Sequence, residues 1–210
     1  VSALAAAQVS PWRAVIAGLI AACVIAILSD LIAVKPILAF DRFSFGWLVS
    51  TFGFAVAVEN AAAYIWGPTS QAFPPILINI SVHIGDAVLT AQQILAIGTA
   101  LALTVAFELI RKRTLFGKVG MAIAADPEMA SAIGANTTAV AIIAFAISGL
   151  FAGIAGVLIG PSTFANPYLG GTFGTAGFIA MMIGGGTEKP AAAMFGGLLL
   201  GVLAEGANAL

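Results

Sequence analysis

Charged residues are scarce in this sequence. Of its 210 residues, 8% are Asp, Glu, Lys or Arg, and the formal net charge is −1. Because a soluble domain carries about 25% charged residues, this composition excludes a soluble globular fold. The lack of excess positive charge also argues against a nucleic-acid partner. The hydrophobic share is 61%, which indicates an integral membrane protein with little mass outside the bilayer.

Residues that build catalytic and metal sites are equally scarce. Cys23 is the one cysteine and His83 the one histidine, so the sequence predicts neither a disulfide nor a metal site. The glycine-rich run 184–190 lacks the glycine–lysine–hydroxyl ending of a phosphate loop, and no predicted strand precedes it. We therefore expect no enzymatic activity, no bound metal and no cofactor in this chain.

Long apolar runs, by contrast, fill most of the sequence. A helix needs about 20 residues to cross a bilayer, and six runs approach or exceed that length, the fifth being short and glycine-rich. They predict an all-α polytopic membrane protein in which residues 1–210 form a single transmembrane domain. The first span is expected to end before Pro36, because proline disfavours helical geometry in the residue that precedes it. The predicted spans are Trp12–Val34, Gly46–Trp66, Ala91–Ile110, Thr138–Gly160, Phe173–Gly185 and Ala191–Leu210.

Lysine and arginine are distributed unevenly between the segments that join the spans. Seven of the eight follow the first, third or fifth span, and only Arg13 lies on the other side. Since cytoplasmic segments of membrane proteins are enriched in these residues, this asymmetry predicts the topology, with both ends of the chain external. The segments predicted to be cytoplasmic are Lys35–Phe45, Arg111–Asn136 and Thr187–Pro190, and those predicted to be external are Gly67–Thr90 and Pro161–Thr172.

One polar segment carries the boundary signals of a short helix. Asp126 is suited to cap it, since a carboxylate accepts from the N–H groups of the next turn, and Pro127 fits the first position, where no donor is needed. Glu128 complements the positive end of the helix dipole, and Gly134 fits the left-handed conformation that ends a helix. The predicted helix, Pro127–Ile133, is too short to be stable alone, so it either packs on its own protein or docks on a partner.

The external segment 67–90 contains an alternating pattern. β-Branched residues occupy every second position between Ile76 and Ile84, followed by Gly85-Asp86 and a second apolar run. This pattern predicts a small external β-hairpin. Thr90 and Gln93 have the spacing of a capping box, so the third span is expected to begin there.

Polar side chains within the spans are few. An ionisable group in a span is costly and usually faces the bundle interior or a wet cavity, so Glu59 is a candidate for a solute path. The alternative is a structural carboxylate bonded to a neighbouring helix near the outer interface. Asp30, near the cytoplasmic end of the first span, is interpreted as a boundary carboxylate. The candidate path residues are Thr51, Gly53, Glu59 and Asn60.

Glycines recur along one face of two spans. Those of the fourth span follow the spacing i, i+4, i+7, i+11, which places them on one side of a helix. Because small residues let helix backbones approach closely in lipid, they predict a compact bundle. The predicted packing glycines are Gly149, Gly153, Gly156, Gly160, Gly197 and Gly201.

In addition, the sequence resembles the membrane permease subunits of bacterial ABC importers for branched-chain amino acids. The similarity covers nearly the whole chain and is most specific over Arg111–Gly134, where the run Arg111–Lys118 leads into Ala125-Asp126-Pro127-Glu128. Such permeases usually have further spans at the N-terminus, so we expect this chain to lack that part of the family pattern. The similarity continues over Ser50–Asn60, Trp66-Gly67, Gly149–Gly160, Asn166-Pro167, Phe178–Gly185 with Pro190, and Gly196–Glu205.

The resemblance implies an architecture and a set of partners. Permeases of this family form half of a transmembrane pathway with a second permease subunit and take solute from an external binding protein. Two cytoplasmic ATPase subunits, which bind ATP and Mg²⁺, drive them. The resemblance thus implies a subunit of the bacterial inner membrane that translocates branched-chain or other small apolar amino acids, with membrane lipid as its remaining partner.

The polar helix gains a role from this resemblance. In the family, a cytoplasmic coupling helix contains Glu-Ala-Ala followed three residues later by glycine, and it docks in a groove of the ATPase. Glu128–Gly134 matches that spacing with Met129 in place of the first alanine, which makes 111–137 the coupling segment. Glu59 and the turn Thr187–Pro190 depart from the residues that the family usually has there. Both departures leave the identity of the solute open. The implied coupling residues are Asp126, Pro127, Glu128, Met129, Ser131, Ala132 and Gly134.

Two other functions fit the residues. An ion-coupled secondary transporter would use Glu59 or Asp30 to carry a coupling proton and would need no ATPase. A non-transporting membrane scaffold would use the glycine rows only for assembly. The sequence also leaves the solute open, since urea and short amides are carried by close relatives of such permeases, and it leaves open whether the permease pairs with itself or with a different chain.

Overall fold

The structure, a computed structural model, describes residues 11–40, 46–70, 81–84, 87–185 and 190–208. These residues are mainly helical. Two short strands, β1 (Ser81–Ile84) and β2 (Ala87–Thr90), pair antiparallel within the alternating segment; that they lie outside the membrane stays a prediction. The helices are α1 (Pro11–Ser29), α2 (Lys35–Phe40), α3 (Gly46–Trp66), α4 (Ala91–Arg113), α5 (Leu115–Ala125), α6 (Pro127–Ala132), α7 (Thr137–Thr163), α8 (Leu169–Ile183) and α9 (Pro190–Asn208), with a π-helical segment, Asp30–Val34, between α1 and α2.

Five helical segments of the described chain are long and apolar enough to cross a membrane. The fifth predicted span falls on α8, which has 15 residues. At 1.5 Å per residue α8 extends about 22 Å, less than the roughly 30 Å of a hydrocarbon core, so the count of six spans stays a prediction. The five segments are Trp12–Leu38, Gly46–Trp66, Ala91–Arg113, Thr137–Thr163 and Pro190–Ala207.

The surface of these helices is apolar. Ile20, Val56 and Val202 are 60%, 54% and 73% exposed, and such side chains recur along every long helix. A soluble monomer rarely exposes large contiguous apolar patches, whereas lipid solvates this surface well. The fully buried apolar residues of the described chain are few and mostly small: Ala14, Ala33, Val34, Ala130 and Ala180.

α1 and α7 pack closely in antiparallel directions. A Cβ atom added at Gly149 would lie 2.7 Å from the carbonyl oxygen of Ala22, and one added at Gly153 would lie 2.9 Å from the side chain of Leu19. A side chain at Gly149 would meet the backbone of α1 and push the helices apart, whereas one at Gly153 would require the end of the Leu19 side chain to move. The first two glycines of the predicted row in α7 therefore lie at a close helix contact, as small residues do in membrane bundles.

α8 and α9 form a second close pair. A Cβ atom at Gly184 would overlap the backbone of Ala192, and one at Gly196 would overlap the backbone of Ala180. This pairing of early α9 with late α8 shows that the two helices run antiparallel.

The row predicted to pack α9 lies beside this contact. A Cβ atom at Gly201 would meet no atom within 4 Å, and one at Gly197 would come only to 3.9 Å from the side chain of Ala180. The period of the pattern indicates that α9 has a small-residue face, but the row that contains Gly196 lies about 100° around the helix axis from the row that contains Gly197. Which of the two rows, that of Gly196 or that of Gly197, contacts α8 depends on how α9 packs against α8.

The first span does not end where the sequence predicts. It continues beyond Pro36 to Phe40 through the π-helical segment, in which the N–H of Lys35 donates to the carbonyl of Asp30. Proline lacks an N–H and its ring crowds the carbonyl four residues before it, and a π turn is one way a helix accommodates such a break. The prediction that the span stops before Pro36 is therefore wrong.

The π turn also pairs two charges. Because it closes i→i+5 rings, it brings Lys35 over Asp30, and the Lys35 Nζ lies 3.5 Å from the Asp30 Oδ2. Asp30 is only 1% exposed, so its carboxylate is buried among the helices, and its position at the membrane boundary stays a prediction. A buried carboxylate needs a partner charge, and the widened turn supplies one from the same helix.

The polar segment contains a helix that the sequence analysis missed. The positive charges at Arg111–Arg113 belong to the last turn of α4, and α5 follows directly. The Thr114 hydroxyl caps α5 by accepting from the N–H of Gly117 at 3.1 Å. With 11 residues, α5 is too short to span, so it positions α6 without crossing the membrane.

Candidate functional site

A cavity of about 950 Å³ lies between α1, α3, α7 and α8. Its volume falls in the range of small-molecule sites. Most of its wall consists of glycine, alanine and aliphatic side chains. The polar side chains of the wall are Thr69, Thr163 and Asn166, and they gather near the turn that joins α7 to α8.

That turn is held by Asn166. Its Oδ1 accepts from the N–H of Tyr168 at 2.9 Å, and its Nδ2 donates to the Ser70 hydroxyl at 3.2 Å. Phe164 adopts φ 60°, a conformation that costs a non-glycine residue about 1–3 kcal/mol and persists only where the surroundings impose it. The bond from Tyr168 closes the turn, and the bond to Ser70 fixes it against the segment that follows α3.

Glu59 connects α3 to the start of α8. Its Oε1 accepts from the N–H of Gly171 at 2.6 Å. The N–H groups of a helix's first turn have no partner within the helix, and a carboxylate there is favoured by the helix dipole. A Cβ atom at Gly171 would lie 2.8 Å from that oxygen, so glycine makes room for the contact. This geometry is the one expected of a structural carboxylate bonded to a neighbouring helix.

The other candidate path residues of α3 are not gathered at the cavity. The Thr51 hydroxyl donates to the carbonyl of Leu48 at 2.8 Å, and the Asn60 Nδ2 donates to the carbonyl of Val56 at 2.7 Å. A Cβ atom at Gly53 would meet nothing within 4 Å. α3 contributes other residues to the cavity wall, namely Ala62 and Trp66.

α6 has the boundaries that the sequence predicts. The Asp126 Oδ1 accepts from the N–H groups of Glu128 and Met129 at 3.0 and 2.9 Å. Pro127 occupies the first turn, and Gly134 has φ 89°. The predicted caps are confirmed, and the helix ends one residue earlier than predicted, at Ala132.

α6 presents apolar side chains outward. Ala130 is 2% exposed and anchors the helix, whereas Met129 and Ile133 are 69% and 81% exposed. Ser131 and Ala132 are exposed as well. A short, rigidly capped helix with exposed apolar groups has the shape of a docking element.

The adjoining end of α4 is an ion-pair cluster. Glu108 accepts from the Arg111 guanidinium at 2.9 Å and lies 2.8 Å from the Lys112 Nζ. The spacing i, i+3 and i, i+4 places the three side chains on one helix face, so the single carboxylate of Glu108 offsets one of the two positive charges of Arg111 and Lys112.

Comparison with known proteins decides the family. The model of the family described as "Branched-chain amino acid transport system / permease component" matches residues 1–210. The chain belongs to this family. With five membrane-length helices among the residues that the structure describes, this member of the branched-chain amino acid permease family is a multi-pass membrane protein, and the resemblance noted in the sequence is confirmed.

Individual relatives agree with the family model. The chain is 31% identical over 201 residues to the high-affinity branched-chain amino acid transport system permease protein LivH of Salmonella typhimurium and of Escherichia coli K12, covering 91% of this chain and 64% of LivH. It is 29% identical over 160 residues to the corresponding protein BraD of Pseudomonas aeruginosa, covering 74% of this chain and 52% of BraD. The chain thus spans 64% of the length of LivH. No solved structure matches this member of the permease family.

The cavity was not predicted from the sequence. Its signals were present in Gly156, in the glycines at the start of α8 and in Asn166-Pro167, but each allowed a simpler interpretation as helix packing or as a turn. Only the relative placement of α1, α7 and α8 shows which glycines of this permease chain touch a helix and which face open space.

Proposed function

We propose that this chain is a permease subunit of an ATP-driven ABC importer that translocates branched-chain or other small apolar amino acids delivered by an external binding protein. The family match and the printed names of LivH and BraD support the solute class. The single structural observation that supports ATP coupling is α6, a helix that is capped at both ends and exposed along one side.

The geometry of α6 suits transmission of force. Its caps at Asp126 and Gly134 fix its length, and the buried Ala130 packs it against the rest of the permease. Met129 and Ile133 then form an apolar knob that a groove on another protein would bury. A motion of that protein would move α6 as a unit and, through α5, the end of α4.

The complete importer would contain a second permease subunit and two cytoplasmic ATPases, which would bind ATP and Mg²⁺, in the bacterial inner membrane. In this arrangement α8 crosses as a sixth span and the basic segments face the cytoplasm. The antiparallel contacts of α1 with α7 and of α8 with α9 support an alternating path of the chain.

A second function is favoured by one observation. Asp30 is buried in the first span and paired with Lys35, and intramembrane carboxylates of this kind carry protons in ion-coupled transporters. An ion-coupled secondary transporter is therefore the alternative proposal. It differs from the first in needing no contact at α6.

The test of the coupling role is a pair of substitutions at one position. Ala132→Arg adds a long charged side chain to a helix that must seat in a groove, and an unpaired charge buried there costs several kcal/mol. We expect the permease to insert and fold while the ATPases dissociate, or while ATP hydrolysis continues without uptake. Ala132→Ser, which keeps the helix and its small size, should retain both.

Gly134→Val tests the same helix from its end. A β-branched residue disfavours the left-handed conformation at φ 89°, so the end of α6 should fray and coupling should weaken without new bulk at the contact. Normal ATPase binding and normal uptake in both Ala132→Arg and Gly134→Val would contradict the coupling role.

A further inference from the structure

We propose that the outer face of α5 lies in the surface of the lipid bilayer and that the basic residues beside it bind anionic phospholipid headgroups. The outer face consists of the exposed side chains of Leu115, Lys118, Met121, Ala122 and Ala125. Binding of this kind involves only the permease chain and the membrane, so it extends beyond the proposed function and does not depend on an ATPase.

α5 lies across the ends of two membrane-length helices. A Cβ atom added at Gly117 would overlap the backbone of Arg111, in the last turn of α4. One added at Gly120 would lie 3.9 Å from the side chain of Val140, in the first turn of α7. Because the basic residues that end α4 are costly to place in hydrocarbon, α4 leaves the bilayer at this level, and α5 is held beside the bilayer surface.

The outer face of α5 is apolar where contact with water would favour polar side chains. Phe116 and Ile123, on the inner face, are half-buried, yet on the opposite side Leu115 is 81% exposed and Met121 is exposed as well. A helix that is apolar all round belongs in a protein core or in lipid. Lys118 is the one charged residue of α5, and a lysine can keep its stem on an apolar surface while its ammonium reaches a polar one. The outer face therefore fits the boundary between acyl chains and headgroups.

The charge of this end of the bundle matches anionic headgroups. Glu108, the one carboxylate among residues 108–118, pairs with Arg111 and Lys112. Arg113 and Lys118 are exposed and make no ion pair within the described part of the chain. Anionic lipids of the cytoplasmic leaflet attract basic segments that adjoin a span, and the lysine and arginine asymmetry predicts that leaflet for α5. Arg113 and Lys118 are therefore the side chains that hold the headgroups.

The experiment measures which lipid lies beside α5 in the full chain. Ala122→Cys, in a Cys23→Ala background, carries a bimane fluorophore on the outer face and is reconstituted in liposomes of phosphatidylcholine with phosphatidylglycerol as the minor lipid. The acyl chains of either the phosphatidylglycerol or an equal amount of the phosphatidylcholine carry a nitroxide, which quenches bimane at short range. We expect phosphatidylglycerol to quench as if it were enriched about fivefold around α5, the effect of a basic side chain near an anionic surface. High salt should reduce this preference, because it screens exposed charges.

Two double variants test the basic residues. Arg113→Gln with Lys118→Gln should abolish the preference for phosphatidylglycerol and leave quenching by labelled phosphatidylcholine unchanged, because the apolar face stays in the bilayer. Arg113→Lys with Lys118→Arg keeps both charges and should retain the preference. Both residues are exposed, so neither pair should change the unfolding temperature. A bimane at Ser131→Cys, on α6, gives the weak quenching expected of a site outside the bilayer.

The outcomes are distinct. A preference for phosphatidylglycerol that the glutamine pair removes and the charge-conserving pair keeps supports headgroup binding at α5. Equal quenching by the two labelled lipids, or a preference that survives in the glutamine pair, overturns it. Quenching at Ala122 as weak as at Ser131 also overturns it, because the outer face would then lie in water. In that case, a bimane emission that shifts to shorter wavelength when the partner ATPases are added would show that a protein covers the face instead.

Discussion

At the scale of single residues, Glu59 makes a hydrogen bond to another helix, whereas the other polar residues of α3 that were predicted to line the path do not. Its hydrogen bond of 2.6 Å to Gly171 joins α3 to α8, whereas Thr51 and Asn60 bond back to their own helix. We predict that Glu59→Ala destabilises the detergent-solubilised permease by about 1.5–3 kcal/mol, as expected when a charge-assisted hydrogen bond is lost. Glu59→Gln, which keeps an acceptor oxygen, should cost less. Thermal unfolding of the two variants measures the difference.

The control for Glu59 is Glu205→Gln, at an exposed position near the end of α9, which should leave the unfolding temperature unchanged. A structural Glu59 also predicts that Glu59→Gln takes up leucine with the pH dependence of wild type. Wild-type stability of Glu59→Ala, combined with an altered pH dependence of uptake in Glu59→Gln, would instead show that Glu59 belongs to the solute path.

At the scale of elements, α8 decides the topology. With 15 residues it is shorter than a hydrocarbon core, and its first turn contacts α3 at Glu59. We predict that it crosses nevertheless, because its two ends contact the C-terminal half of α3 at Glu59 and the start of α9 at Ala192. The test is labelling of single cysteines with a membrane-impermeant thiol reagent in a Cys23→Ala background.

In that test, Ser70→Cys should label from the outside and Ser131→Cys from the cytoplasmic side, which provides the two references. Thr187→Cys, between α8 and α9, should label with Ser131→Cys. Labelling of Thr187→Cys together with Ser70→Cys would show that α8 enters and leaves on the same side, and the six-span arrangement would be abandoned.

At the scale of the whole molecule, the features that could be predicted from the sequence are those determined by residues close together along the chain. The caps of α6, the capping box at Thr90 and Gln93, and five of the six predicted spans depend on neighbouring residues along the chain. All of them appear in the structure, the spans as helices long enough to cross a membrane. The π turn at Asp30, the hydrogen bond of Glu59 to α8 and the cavity depend on which helices pack against one another, so they could not be predicted from the sequence. A glycine row looks the same in sequence whether it touches a helix, as Gly149 does, or faces a void, as Gly156 does.

The central claim is that ATP hydrolysis by partner subunits drives solute through this permease. The most direct measurement is leucine uptake into proteoliposomes that contain the reconstituted complex, with ATP supplied to the ATPases, in the presence and absence of a protonophore. We predict uptake that requires ATP, that stops in Ala132→Arg and that the protonophore does not reduce. Uptake by the permease alone, without ATPases, that disappears when the proton gradient is dissipated would contradict it and would establish an ion-coupled transporter.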